Sequence, residues 1–248
     1  MSFKFTVSPD FTPNHLSGWY IFNTWLQKQT GLAIHLKMYS DFNAQRAAIA
    51  NDEIDLIYAN PFDAAMLVRE KGFLPLVKPE GASDEAIIAV NAENPVADVA
   101  DLPQGLKLAV TDDPDVRMMG MILLEPGDLD AGNIEAVPCT TYVVVAKQLL
   151  RGDAEAGIFL AEAYDDLSPM IKKQLKVLVR SQISVIHHVL MAGPELSAQR
   201  EEIRRHLLAM ANEPKGQGVL ESLGFTAWAA VDDEAMEFSI DLMDTLSM

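Results

Sequence analysis

Apolar positions along this chain switch repeatedly between a two-residue and a helical period, and the switches come in a fixed order. "FKFTVSPD" (3–10) is a short strand running into a turn. The segment after it, "TPNHLSGWYIFNTWLQKQTG" (12–31), has a helical apolar face, with Thr12 placed as N-cap, Pro13 at the first helical position and Gly31 as terminator. "LAIHLKMYSDF" (32–42) alternates as a strand, "NAQRAAIANDEID" (43–55) reads as a short helix, and "LIYANP" (56–61) as a strand ending at a proline.

The second half replays that order. "LKLAVTDDPD" (106–115) is a strand and turn leading into a helix, "NIEAVPCTTY" (133–142) a strand, "VVVAKQLLRGDAEA" (143–156) a helix and "GIFLAEAY" (157–164) a strand. "SDF" at 40–42 and "TTY" at 140–142 hold matching places, as do "AIANDEIDLIYA" and "LLRGDAEAGIFL". The fold class implied is α/β, two similar lobes with mainly parallel sheets covered by helices. "SDEAIIAVNAENP" (83–95) reads as the connection between lobes and "QISVIHHVLMAG" (182–193) as the return, so the joint is a two-stranded hinge. Lobe one is then 1–85 with 189–248, completed by the helical stretches at 197–212 and 216–228, and lobe two is 86–188. A ligand is expected in the cleft between them, at the carboxyl ends of the strands.

Charge narrows the partners. A net charge of −17 argues against nucleic acid and against docking on an anionic membrane. No apolar run is long enough for a membrane span, and no membrane insertion is expected. Cys139 is the single cysteine, so there is no intrachain disulfide or thiolate cluster; it reads as a buried structural thiol. "GDLDAG" (127–132) lacks the glycine and closing glutamate positions of a calcium loop, and no metal or other cofactor is expected.

Four stretches resemble the periplasmic phosphate/phosphite/phosphonate-binding family, the solute receptors of ABC importers: "SDFNAQRAAIANDEIDLIYANPFDAAMLVREKG", "VADLPQGLKLAVTDDPD", "AKQLLRGDAEAGIF" and "GQGVLESLGFTAW". The resemblance spans nearly the whole chain. It implies the type II periplasmic-binding-protein architecture, a clamp-like closure on a small molecule, an ABC permease as partner and a periplasmic address. The chain as written opens on a strand without a leader, which implies the cytoplasm if this is the full gene product.

The binding site carries over less completely. The family follows its Asp-Pro with a Ser-Thr-Ser-Gly run that holds phosphonate oxygens; here Asp113 and Pro114 are followed by "DVRMMG", and Gly120 alone keeps the pattern. The family's histidine corresponds to Tyr142, and the aromatic after Asp41 is Phe42, without a phenol hydroxyl.

The candidate ligand residues follow from these positions. Phe42 and Tyr142 hold echoing places at strand-to-helix turns and close over a ligand or pack on their own helices. Thr140 and Thr141 bind or cap the next helix, and Ser8 lies at lobe one's first helix start. Arg117 offers a guanidinium fork to an anion or pairs with Asp113 or Asp115. Asp112 and Asp115 complement a helix N-terminus or receive an ammonium. Tyr58 and Asn60 end a lobe-one strand. His187 and His188, if on a strand, point to opposite faces, and hinge packing is their default.

These residues point first to a non-enzymatic receptor that clamps a small polar, anionic or zwitterionic molecule. A cytoplasmic enzyme of the same architecture, as in the menaquinone route, and a ligand sensor without a transporter are the alternatives. No catalytic residue set stands out in the sequence.

Overall fold

The computed structural model describes residues 2–10, 15–184, 186–231, 234 and 236–241. The chain forms two compact units, 1–83 with 185–248 and 84–184. It opens with β1 (Phe3–Val7), α1 (Leu16–Thr30), β2 (Ile34–Leu36), α2 (Phe42–Ala50), β3 (Leu56–Ala59), α3 (Pro61–Lys71) and β4 (Leu74–Pro79). The second unit holds β5 (Ala86–Asn91), β6 (Lys107–Val110), α4 (Pro114–Leu124), β7 (Glu135–Pro138), α5 (Tyr142–Arg151), β8 (Ala156–Leu160), α6 (Ala161–Asp165), α7 (Pro169–Lys172) and β9 (Leu175–Arg180). The first unit is completed by β10 (Val189–Ala192), α8 (Arg200–Ala209), α9 (Pro214–Leu223) and β11 (Trp228–Ala230).

The internal echo is real at the level of topology. One sheet runs β11-β4-β10-β3-β1-β2 and the other β7-β6-β8-β5-β9. In each, three parallel strands (β2, β1, β3 and β7, β6, β8) are continued by antiparallel pairing, through β10, β4 and β11 in the first and through β5 and β9 in the second. Both sheets are therefore mixed, with a parallel half that carries the strand–helix units. β10 and β5 hold equivalent places, each being the first strand formed after the chain enters its unit from the other.

That equivalence corrects the expectation for 83–95. Its apolar core is no mere connection: β5 lies between β8 and β9, and Ala86 to Val90 are each at most 1 % exposed. Two other readings change. The run "GIFLAEAY" is strand only to Leu160, after which Ala161–Asp165 is helical. "LAIHLKMYSDF" is strand only over Ile34–Leu36. Thr12 and Pro13 lie outside the described residues; α1 begins at Leu16 and ends as read, on Gly31 in the left-handed region.

Aromatic packing makes the first unit's core. Phe5, Trp19, Phe22, Tyr58, Phe225 and Trp228 meet in edge-on and tilted pairs. Gly18 lets α1 approach α9 so closely that any Cβ there would overlap the Ser222 carbonyl. In the second unit, Glu85 is 8 % exposed and its carboxylate binds the 181–184 segment that leads out of the unit. It accepts from the Ser181 hydroxyl, from the Ile183 amide at 3.0 Å and from the Ser184 amide at 2.8 Å. Ser184 itself has φ 60°, a left-handed backbone that a serine adopts only when held.

Candidate functional site

In the first unit the chemistry collects where the parallel strands end and helices begin. Asp41 caps α2 by accepting from the Ala44 amide at 2.8 Å, and that bond holds its carboxyl below the usual range. Asn60 caps α3, its Oδ1 accepting from the Asp63 amide at 2.7 Å, while Nδ2 donates to Ser8 Oγ (3.2 Å) and Asp63 Oδ2 (3.1 Å). Ser8 and Asn60, read from sequence as separate ligand contacts, are thus partners in one buried network. Tyr58 lies in the core, its ring 4.7 Å from Trp19 and 5.1 Å from His188. Phe42 is 4 % exposed and opens α2.

Residues the sequence did not single out complete this network. Arg46, one turn past Phe42, donates from Nε to Asp63 Oδ1 at 2.6 Å. Burial pushes the Asp63 carboxyl above its ordinary value, outweighing Arg46 and Asn60, and the nearby Asp10 charge adds to the rise. Asp10 is buried too, yet the charge and hydrogen bond of His188, with a bond from Ser8, overcome that burial and hold it below its ordinary value. His188 Nε2 and Asp10 Oδ2 are 2.9 Å apart. His187 faces Lys78, with Nε2 3.1 Å from Nζ. Both histidines precede β10, so strand alternation does not govern them.

In the second unit the chemistry gathers at the starts of α4 and α5. Asp113 is the N-cap, with Oδ1 3.4 Å from the Val116 amide, and Tyr142 donates its hydroxyl to Asp113 Oδ2 at 2.6 Å. The Asp113 carboxylate therefore meets one free amide of the first turn and complements the helix dipole. Arg117 is exposed and forms no ion pair among the described residues, so the internal pairing with Asp113 or Asp115 does not occur. Thr141 caps α5, accepting from the Val144 amide at 3.3 Å, and Thr140 is exposed beside it. Tyr142 is 8 % exposed, as the first residue of α5. Cys139 is buried, and burial raises its thiol. Among the described residues no group of three or more His, Cys, Asp or Glu is arranged to hold a metal, and no helix is long and apolar enough to cross a membrane.

Comparison with known proteins places this geometry. Residues 5–236 match the family model described as "ABC transporter, phosphonate, periplasmic substrate-binding protein". No curated protein sequence matches the chain. Among solved structures, PhnD1 from Prochlorococcus marinus in complex with methylphosphonate is similar at TM-score 0.85 and 12% identity, over 99% of this chain and 98% of that one. A binding protein component of an ABC phosphonate transporter from Pseudomonas aeruginosa gives 0.80 at 17% identity, over 100% and 89%. A Xanthomonas citri protein bound to ATP gives 0.79 at 16% identity, over 99% and 98%. At these identities the likeness is one of fold: two α/β lobes of the type II binding-protein class.

Proposed function

The chain belongs to the phosphonate periplasmic substrate-binding protein family of ABC transporters, and from that premise we propose that it binds a small anionic or zwitterionic solute, performs no chemistry on it, and presents it to an ABC permease. The observation that carries this reading is the repeated topology: in each unit three parallel strands lead at their carboxyl ends toward helices, two of which start on a side-chain cap, the geometry α/β sheets use for small ligands. The ligand's contacts are drawn from those ends, Ser8, Phe42, Tyr58 and Asn60 in one unit, Asp113, Arg117, Thr140, Thr141 and Tyr142 in the other. Asn60, Asp113 and Thr141 spend side-chain bonds on capping, which suits a rigid scaffold for binding.

The ligand is phosphonate-like in size and charge, consistent with the methylphosphonate seen in the Prochlorococcus protein. Asp113 at the α4 N-terminus favours a solute that also bears an ammonium, because a carboxylate there attracts cations. The test is thermal shift against methylphosphonate, 2-aminoethylphosphonate, inorganic phosphate, ethanesulfonate and acetate. Ligand at 100 times its dissociation constant adds about 2.7 kcal/mol, a readily measured rise in Tm. A flat response across the panel would sink the reading.

A further inference from the structure

We propose that Arg46 is the residue by which the first unit recognises the acidic group of the solute, an inference that rests on the solute-binding reading above. At the start of α4, Asp113 already accepts from the Val116 amide and from the Tyr142 hydroxyl, so these two donors are spent. In a chain of net charge −17, an anion needs a local, fixed cation. Arg46 supplies one.

Its guanidinium carbon lies 5.2 Å from the Phe42 ring centroid and 5.0 Å from that of Phe62, so two aromatic rings hold it. Nε is tied to Asp63 Oδ1 at 2.6 Å. Nη2 is buried with no hydrogen-bond partner in the structure, although the side chain as a whole is 30% exposed. An unrestrained surface arginine would turn such a nitrogen into water; here the rings and Asp63 prevent it. A buried donor kept without an acceptor is a place prepared for one. The elements agree: Phe42 and Arg46 stand one turn apart at the start of α2, and Phe62 and Asp63 in the first turn of α3, both helices following parallel strands.

Calorimetric titration of the full chain with methylphosphonate, inorganic phosphate and ethanesulfonate tests this. Arg46→Gln should weaken the best of these at least about thirtyfold, and Arg46→Lys, which keeps charge but not the fork, should fall between. The double variant Arg46→Gln/Asp63→Asn leaves no buried unpaired carboxylate; it should melt close to the parent and still bind weakly. Arg117→Gln is the comparison. If Arg46→Gln and the double variant bind within twofold of the parent, or if Arg117→Gln alone abolishes binding, Arg46 is not the anion contact while the solute reading survives. If the parent binds none of the three anions, the solute reading and the role of Arg46 fall together.

Discussion

Glu85→Gln isolates one carboxylate that organises the segment leaving the second unit. The change preserves side-chain shape, so its cost is electronic. In the parent, one carboxylate accepts from the Ser181 hydroxyl and from two backbone amides, at 3.0 Å (Ile183) and 2.8 Å (Ser184). Hydrogen bonds to a charged group contribute about 1.5–3 kcal/mol each, and they do not add simply. An amide oxygen can still accept twice; its NH2 must then face a remaining donor, which loses one charged bond and leaves two donors opposed. The expected loss is about 2–4 kcal/mol, which at about 2–4 °C per kcal/mol for a chain of this size lowers Tm by roughly 4–16 °C.

Urea unfolding followed by circular dichroism reads that loss. Tryptophan fluorescence is less useful, because Trp19, Trp25 and Trp228 all lie in the first unit. Amide hydrogen exchange gives the local readout: the Ile183 and Ser184 amides should lose protection before β5 and β8 do. Ser184 should then leave its left-handed backbone, which costs about 1–2 kcal/mol to hold. A loss below about 0.5 kcal/mol with unchanged exchange at Ser184 would refute the claim that Glu85 holds the 181–184 segment.

Three further outcomes follow from particular contacts. Gly18→Ala drives a methyl into the Ser222 carbonyl, so α1 and α9 must separate, and urea denaturation should show a loss of about 1–3 kcal/mol. Asp10 has its carboxyl held low in the fold, so its contribution is present above the unfolded carboxylate range and disappears as pH falls through the lower folded value; His188→Gln removes the partner, leaves burial dominant and should make the variant less stable than the parent at neutral pH, with the gap narrowing as pH falls, read by urea denaturation followed by circular dichroism. Cys139 is 6 % exposed with its thiol raised by burial, and iodoacetamide at pH 8 should label it at least about tenfold more slowly in native protein than in urea, by mass spectrometry.

The sequence alone determined what depends on neighbours along the chain: two rounds of strand and helix, the α1 stop at Gly31, and a threonine at 140 or 141 placed to cap the next helix, because caps and apolar periods are short-range steric and hydrogen-bond effects. Its duplicated order also foretold two sheets of one topology, although β5 passed for a connection because an apolar run does not disclose its sheet neighbours. Only the tertiary structure decided the chemistry. His188 finds Asp10 across 178 residues, Tyr142 reaches Asp113 across 29, and Arg46 reaches Asp63 across 17. Such pairings depend on which strands lie side by side and on how deeply each carboxylate is buried. Local spacing carries neither quantity, so nothing in the sequence singled out Arg46, Asp63 or Glu85.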